Sequence, residues 1–286
     1  MRTFQQLHPV VNLMFFLLAL TLTMLQLHPL FLLVSWFCAI AALTALSGKP
    51  PMGVRTLVGL MLLIAVGNAL LNPAGETVLF TYLNGRTFTW EALAWGGSAA
   101  LLFGSVVLWF ACFHTVMTGE KLTYLFGRLT PALALLFCMV LRLVPTFLRQ
   151  LKALSQTRSS LGLGLEQCAT VSQKLRCATA QLAAFVSLAL EQAAVTANSM
   201  RGRGYGLAGR TSYTRFRMDV GNGVLLVVLL GLGGIVGCAL FQGAGNASYF
   251  PRITLACGGW LWLGAGAACL LMGIPAALSW RSRKKT

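Results

Sequence analysis

Two arginine-centred tripeptides, Thr157-Arg158-Ser159 and Gly202-Arg203-Gly204, hold the side chains of this sequence best suited to gripping another molecule. A guanidinium is a planar fork of five donors that engages a carboxylate and backbone carbonyls together, which the point charge of lysine cannot imitate. Three readings compete. Arginine near a helix C-terminus offsets the macrodipole, worth about 0.3–1 kcal/mol. It can instead insert into a groove of an acidic partner. The third reading, an Arg-Gly-rich RNA-binding segment, is opposed by a repeat that stops after two units.

Other chemistry is sparse. No Gly-x-x-x-x-Gly-Lys-Ser/Thr loop occurs, so the chain is not expected to hydrolyse ATP. His8, His28 and His114 lack metal-ligand spacing and are expected to be packed or interfacial. Eight cysteines (Cys38, Cys112, Cys138, Cys168, Cys177, Cys238, Cys257, Cys269) are scattered without a Cys-x-x-Cys pair, which fits small hydrophobic filler better than a disulfide or zinc framework. Ion pathways are usually marked by intramembrane ionisable groups, and no paired carboxylates lie in an apolar run here. The expectation is a chain with no catalytic residue, no bound cofactor and no metal.

The elements that must position the arginines read as helices. From Pro131, Leu141, Val144, Leu148, Leu151 and Leu154 recur at three- or four-residue spacing while Arg142, Arg149 and Lys152 fall elsewhere, predicting an amphipathic helix with a basic side. Pro145 should kink or divide it, and its end is expected near Leu161-Gly162. A second helix is expected from about Val171 to Met200, stopped by the alternating glycines Gly202, Gly204 and Gly206. Each tripeptide thus lies at or near a helix C-terminus.

The surroundings are oily. The chain is 57% apolar and 10% charged, against roughly 25% charged in a soluble domain, so an integral membrane protein is expected. Six segments are apolar over a length near the roughly 17–25 residues that cross a bilayer: Val10 to Leu27, Leu30 to Leu46, Thr56 to Leu71, Ala92 to Met117, Gly223 to Gln242 and Ile253 to Ala277. Pro29, the Gly48-Lys49-Pro50-Pro51 run and Asn72-Pro73 punctuate the first three. The first run continues through His28-Pro29 without a small-residue cleavage site, which opposes a signal peptide. Trp90, Trp95, Trp260, Trp262 and Trp280 suit interface anchors.

Thirteen of the 22 Lys and Arg residues fall between Met117 and Asn222. With the N-terminus inside, twenty positive charges lie on the cytoplasmic side and only Arg86 and Arg252 outside, which places both termini in the cytoplasm. Crossing the membrane twice more, with Pro131 to Pro145 and Ala178 to Ser199, would put Arg149, Lys152, Arg158, Lys174 and Arg176 outside. It would also bring Arg142 or Glu191 near hydrocarbon, at roughly 2.5–3.5 kcal/mol for an ionised group. The expected fold is therefore an all-α integral membrane protein of about six transmembrane helices, with a cytoplasmic domain of long helices between spans four and five. Its blocks are residues 1–117 with four spans, 118–222 in the cytoplasm, and 223–286 with the last spans and a basic tail. The eleven positive charges of the middle block other than Arg158 and Arg203 are expected to set topology and solvate exposed faces.

Several stretches resemble the transmembrane T component of energy-coupling factor (ECF) transporters, the family of the cobalt-type permease subunits. They are Leu7-His8-Pro9, Asn72-Pro73 with Leu79-Phe80-Thr81-Tyr82-Leu83-Asn84, the block from Met117 to Phe147, and the arginine sites SQTRSSLG and NSMRGRGYG. Met200, Arg203, Gly204 and Tyr205 match the second family signature together. The first departs from it, with Thr157 and Ser159-Ser160 where the family often has Ala and Arg-Gly, and Ala74-Gly75-Glu76 replaces a frequent His-x-Gly. The likeness covers most of the chain to about Asp219.

The resemblance implies a non-catalytic coupling subunit in the plasma membrane of a prokaryote. Two ABC-type ATPase subunits, holding ATP and Mg, would bind the two helix tips through Arg158, Arg203 and their neighbours Thr157, Ser159, Gly202 and Gly204. A small membrane S component would capture a vitamin, metal ion or other micronutrient. Membrane lipid is the remaining partner, and nucleic acid is not expected. A self-contained secondary transporter is the alternative, though no clear internal repeat marks one. A lipid-modifying membrane enzyme is a third, opposed by only four acidic residues (Glu120, Glu166, Glu191, Asp219) in the middle block.

Overall fold

Proline and glycine set the helix boundaries. The computed structural model describes residues 4–47, 53–72, 75–82, 86–129, 131–164, 170–205, 207, 218–250, 252–255 and 258–283. The Gly48–Pro51 punctuation, Pro73, Ala74, Leu83, Asn84, Glu166, Gly206, Cys168, Cys257 and the charges of Arg2, Lys49, Arg210, Arg215, Arg217, Lys284 and Lys285 lie outside the described residues.

A short 3-10 turn (Phe4–Gln6) leads into helices α1 (Pro9–Leu25), α2 (Pro29–Ser47) and α3 (Val54–Leu71). An antiparallel hairpin of β1 (Val78–Tyr82) and β2 (Arg86–Thr89) precedes α4 (Trp90–Val116). There follow α5 (Gly119–Leu129), α6 (Pro131–Ser160), α7 (Val171–Gly202) and α8 (Val220–Phe241). A two-residue hairpin, β3 (Ala247–Ser248) with β4 (Thr254–Leu255), leads to α9 (Gly259–Arg283). The chain divides into two compact units, one of residues 1–121 with 216–286 and one of residues 122–215.

Five helices are long and apolar enough to cross a membrane: α2, α4, α7, α8 and α9; α1 and α3 are shorter apolar helices. Helical, apolar segments of this length make the chain an all-α protein of membrane type. α7 meets the same criterion although the charge distribution predicts it to lie outside the bilayer. It differs from the other four in burying none of its apolar window within the protein.

In the first unit the core forms around aromatic edges. Phe15 and Phe16 of α1 meet Trp109 of α4 at 5.7 and 6.4 Å between ring centroids, and Phe113 meets Phe16 at 5.4 Å. Some polar groups inside this core are paired across helices, while both amide atoms of fully buried Asn12 find no hydrogen-bond partner among the described residues. Ser35 Oγ of α2 accepts from Trp109 Nε1 at 3.0 Å and shares a hydrogen bond of 2.9 Å with Thr23 Oγ1 of α1, tying three helices at one hydroxyl. α3 packs on α4 where Gly96 removes a side chain; a Cβ there would stand 2.5 Å from the Ala65 carbonyl oxygen.

The Leu-His-Pro stretches acquire a local cause. His8 Nδ1 accepts from Val10 N at 3.3 Å and His28 Nδ1 accepts from Leu30 N at 3.4 Å, so each ring caps a helix that starts on proline. Proline suits that first position because its missing N–H would have been unpaired there.

The loops with fewest positive charges converge at one end of this unit. Tyr249 Oη bonds Ser98 Oγ at 2.6 Å and the Leu27 carbonyl at 2.9 Å, its ring edge lies on Trp95, and Arg252 pairs with Glu76 at 2.7 Å. The α1–α2, α3–α4 and α8–α9 connections are thereby knotted together. The exposed Arg252–Glu76 pair contributes little to that closure compared with the buried tyrosine.

Replacing Ser35 by alanine strands the Trp109 N–H in an apolar core, with an expected loss of about 1–2 kcal/mol. Denaturant unfolding in detergent micelles, followed by tryptophan fluorescence, checks this; an unshifted midpoint would show that the shared hydroxyl contributes nothing.

Candidate functional site

The two arginines belong to the ends of the longest helices in the molecule. α6 begins on Pro131 and runs unbroken through Pro145, so of the two expected outcomes, a kink or a division, the division does not occur. Proline deprives the Leu141 carbonyl of its in-helix donor. One turn on, the Pro145 carbonyl accepts an additional bond from Arg149 Nε at 3.3 Å. α7 starts with a capping box: Thr170 accepts from the Gln173 backbone while Gln173 Oε1 accepts from Thr170 N at 3.3 Å.

Both helices end in the same way. At the end of α6, Leu163 N donates to the Arg158 carbonyl at 2.9 Å and Gly162 N to the Ser159 carbonyl at 3.1 Å, with Gly162 at φ +78°. At the end of α7, Tyr205 N donates to the Met200 carbonyl and Gly204 N to the Arg201 carbonyl, both at 3.0 Å, with Gly204 at φ +79°. Each is a Schellman motif, in which glycine takes the left-handed turn that satisfies the last carbonyls.

Superposing the two caps pairs Gly162 with Gly204, which sets Arg158 opposite Met200 and Arg203 opposite Leu161. The two arginines therefore do not occupy equivalent places. Arg158 stands in the last full turn of α6, half-buried, with Nε shielded from solvent and lacking an acceptor. Arg203 is the C-cap residue of α7 and is exposed, with Arg201 and Gly202 exposed beside it. Among the described residues neither guanidinium pairs with a carboxylate.

The neighbours differ too. Thr157 Oγ1 donates to the Ala153 carbonyl at 3.0 Å and Ser160 Oγ to the Gln156 carbonyl at 3.1 Å, so both hydroxyls are turned back onto the helix. Gly164, a residue the sequence pattern did not single out, folds against Ser159; a Cβ there would lie 3.1 Å from Ser159 Cα. Gly202 faces open space, with nothing within 4 Å of an added Cβ, whereas a Cβ on Gly204 would lie 3.0 Å from Leu207. The second tip is thus open beside its arginine and the first is folded in.

α6 and α7 touch over a short stretch near their midpoints, where Phe147 and Phe185 meet edge to face at 5.5 Å. Arg158 is then about 17 Å along α6 from this crossing and Arg203 about 27 Å along α7, at 1.5 Å per residue. The ten-residue connector 161–170 reaches roughly 36 Å, too short for the helices to run side by side in the same direction; the tips stay on the order of 20 Å or more apart. One small ligand cannot be held by both.

The outer faces are apolar and uncovered. Leu141, Val144 and Leu148, on the apolar stripe of α6, are exposed, as are Leu182, Val186, Leu190 and Val195 of α7; α7 has no buried residue. The inward face of α6 carries Phe147, Gln150, Leu151, Leu154 and Arg158 instead. Lys121 departs from expectation in the opposite sense: counted among the charges that solvate exposed faces, it is buried. No protein-family model matches the chain, and no curated protein matches it significantly.

Alanine at Gly162 or Gly204 must enter the left-handed region, at about 1–2 kcal/mol. Hydrogen exchange read by mass spectrometry is expected to quicken at the amides of Leu163 and Gly162, or of Tyr205 and Gly204, in the respective variants. Unchanged protection at those amides would refute the capping role.

Proposed function

We propose that this chain is the coupling subunit of an ATP-driven importer of the energy-coupling factor type. It carries no catalytic residue. Two ABC-type ATPase subunits, which hold ATP and Mg, grip its two helix ends, and a small membrane S component captures the micronutrient. The observation that carries this reading is the pair of rigidly capped, arginine-bearing helix ends, held well apart on helices whose apolar faces lack a partner. Two separated tips suit two copies of a partner better than one. The guanidinium of Arg203, exposed, flanked by glycine and without a carboxylate partner among the described residues, suits insertion into an acidic groove with close backbone approach.

The finer topology belongs to the same proposal. Six spans, α1 to α4 with α8 and α9, leave α5 to α7 on the cytoplasmic side together with both termini, in a prokaryotic plasma membrane. The charge distribution supports it, since this arrangement leaves only Arg86 and Arg252 outside. α7 is apolar enough to span, yet its Lys174, Arg176 and Glu191 make it better suited to covering by protein.

Two measurements test the proposal. Changing Arg158 and Arg203 together to Glu is expected to release the ATPase subunits on co-purification and to abolish uptake while membrane insertion is kept. Normal uptake by the double variant would sink the anchor role. For topology, single cysteines at Ser159 and Gly202 in a cysteine-free chain should resist a membrane-impermeant maleimide in intact cells, while one at Ser248 reacts. Labelling at Ser159 from outside would require the eight-span arrangement.

A further inference from the structure

The corner where α4 gives way to α5 holds a buried cation. Lys121 stands in the first turn of α5 and is 7% exposed. A cation there faces the positive end of the α5 dipole. Burial also opposes its charge, drawing its pKa below the ordinary lysine value. Among the described residues no carboxylate pairs with it. Its Nζ instead donates to two carbonyls, that of Gln5, far away in the sequence, at 2.5 Å and that of Val116, one turn before α5, at 3.1 Å.

Each acceptor has its own hold. Val116 is the last residue of α4, so its carbonyl lies at the negative end of that helix, where a cation is favoured. Gln5 belongs to the 3-10 turn, which is anchored by fully buried Phe4, edge to face with Phe15 at 5.3 Å and Phe16 at 6.2 Å. Two unfavourable features of one lysine are thus offset at a joint between three segments. An arrangement that disfavours the charge everywhere except in this geometry points to the joint as the reason for the residue.

We propose that Lys121 is a positioning residue: its ammonium ties the Phe4–Gln6 turn to the end of α4 and so fixes the root of α5, the helix through which the chain passes into residues 122–215. Its use in coupling rests on the function proposed above. Motion imposed on α6 reaches the spans along the chain through α5, and a tied root passes that motion on where a loose one absorbs it.

Hydrogen exchange on the purified full chain in micelles tests the tie without any partner. Lys121→Met keeps the apolar stem and removes the charge; Lys121→Arg keeps a cation; Phe4→Ala loosens the tie from its other side. In Lys121→Met and Phe4→Ala the amides of residues 4–8 and the last turn of α4 are expected to exchange at least ten-fold faster, with α8 unchanged. Lys121→Arg is expected to retain most of the protection. Unchanged exchange at residues 4–8 in Lys121→Met and Phe4→Ala overturns the proposal, as does an equal loss of protection throughout the bundle. In vesicles carrying the ATPase pair and the S component, Lys121→Met should lower uptake per ATP hydrolysed several-fold with assembly intact; full coupling overturns the positioning role. If the unaltered chain retains no ATPase pair, the proposed function fails and the exchange arm alone decides the tie.

Discussion

An apolar bundle offers a buried N–H or C=O no solvent, so a partner within the chain is what stabilises a polar group inside it. Much of the first unit follows from that constraint. The Ser35 hydroxyl serves Trp109 and Thr23 at once, Tyr249 bonds both a side chain and a backbone carbonyl, and histidine rings cap the helices that begin on Pro9 and Pro29. Lys121 obeys the same rule at higher cost, because an ammonium needs acceptors more than a neutral group does. Backbone carbonyls at a helix end and in a tight turn are the acceptors that a chain so poor in carboxylates can supply there.

The second unit lives under a different constraint. α7 buries no residue and α6 shows its leucine and valine face outward, so the hydrophobic effect contributes little to holding these helices together. What does hold their ends is local: capping box, proline start and glycine caps. Each full burial of an exposed Leu or Val is worth roughly 1.5–3 kcal/mol, so a surface with this many uncovered is strongly driven to acquire a cover. Protein or lipid can supply it.

Helix ends were legible in the sequence because proline and glycine act through local sterics alone. Pro131, Pro29, Gly162 and Gly204 fall where a pattern reading puts them, within a residue or two. The relation between Arg158 and Arg203 was not legible. Both are the centre of a tripeptide near a helix stop, but the cap register, counted from the glycine that turns left-handed, differs by three residues between them. That difference leaves Arg158 within the last turn of α6, half-buried, and puts Arg203 on the cap itself, beyond the last helical residue and exposed. The outward turn of Leu141, Val144 and Leu148 was illegible for a related reason: periodicity locates an apolar stripe without saying whether the chain itself covers it.

That register difference bears on how two tips with the same residue type would act. Arg203 is exposed on an open glycine turn and pairs with no carboxylate among the described residues. Arg158 has Nε already withdrawn from water, and the hydroxyls beside it are engaged with their own helix. Withdrawing a charged donor without an acceptor is unfavourable, so a conformation that swings Arg158 outward, or a partner oxygen that enters to meet it, relieves the strain. Two identical partners would therefore meet unequal sites. On the proposed function, the tip with the exposed arginine would need little reorganisation to bind, whereas engagement of the other would be linked to rearrangement at the end of α6.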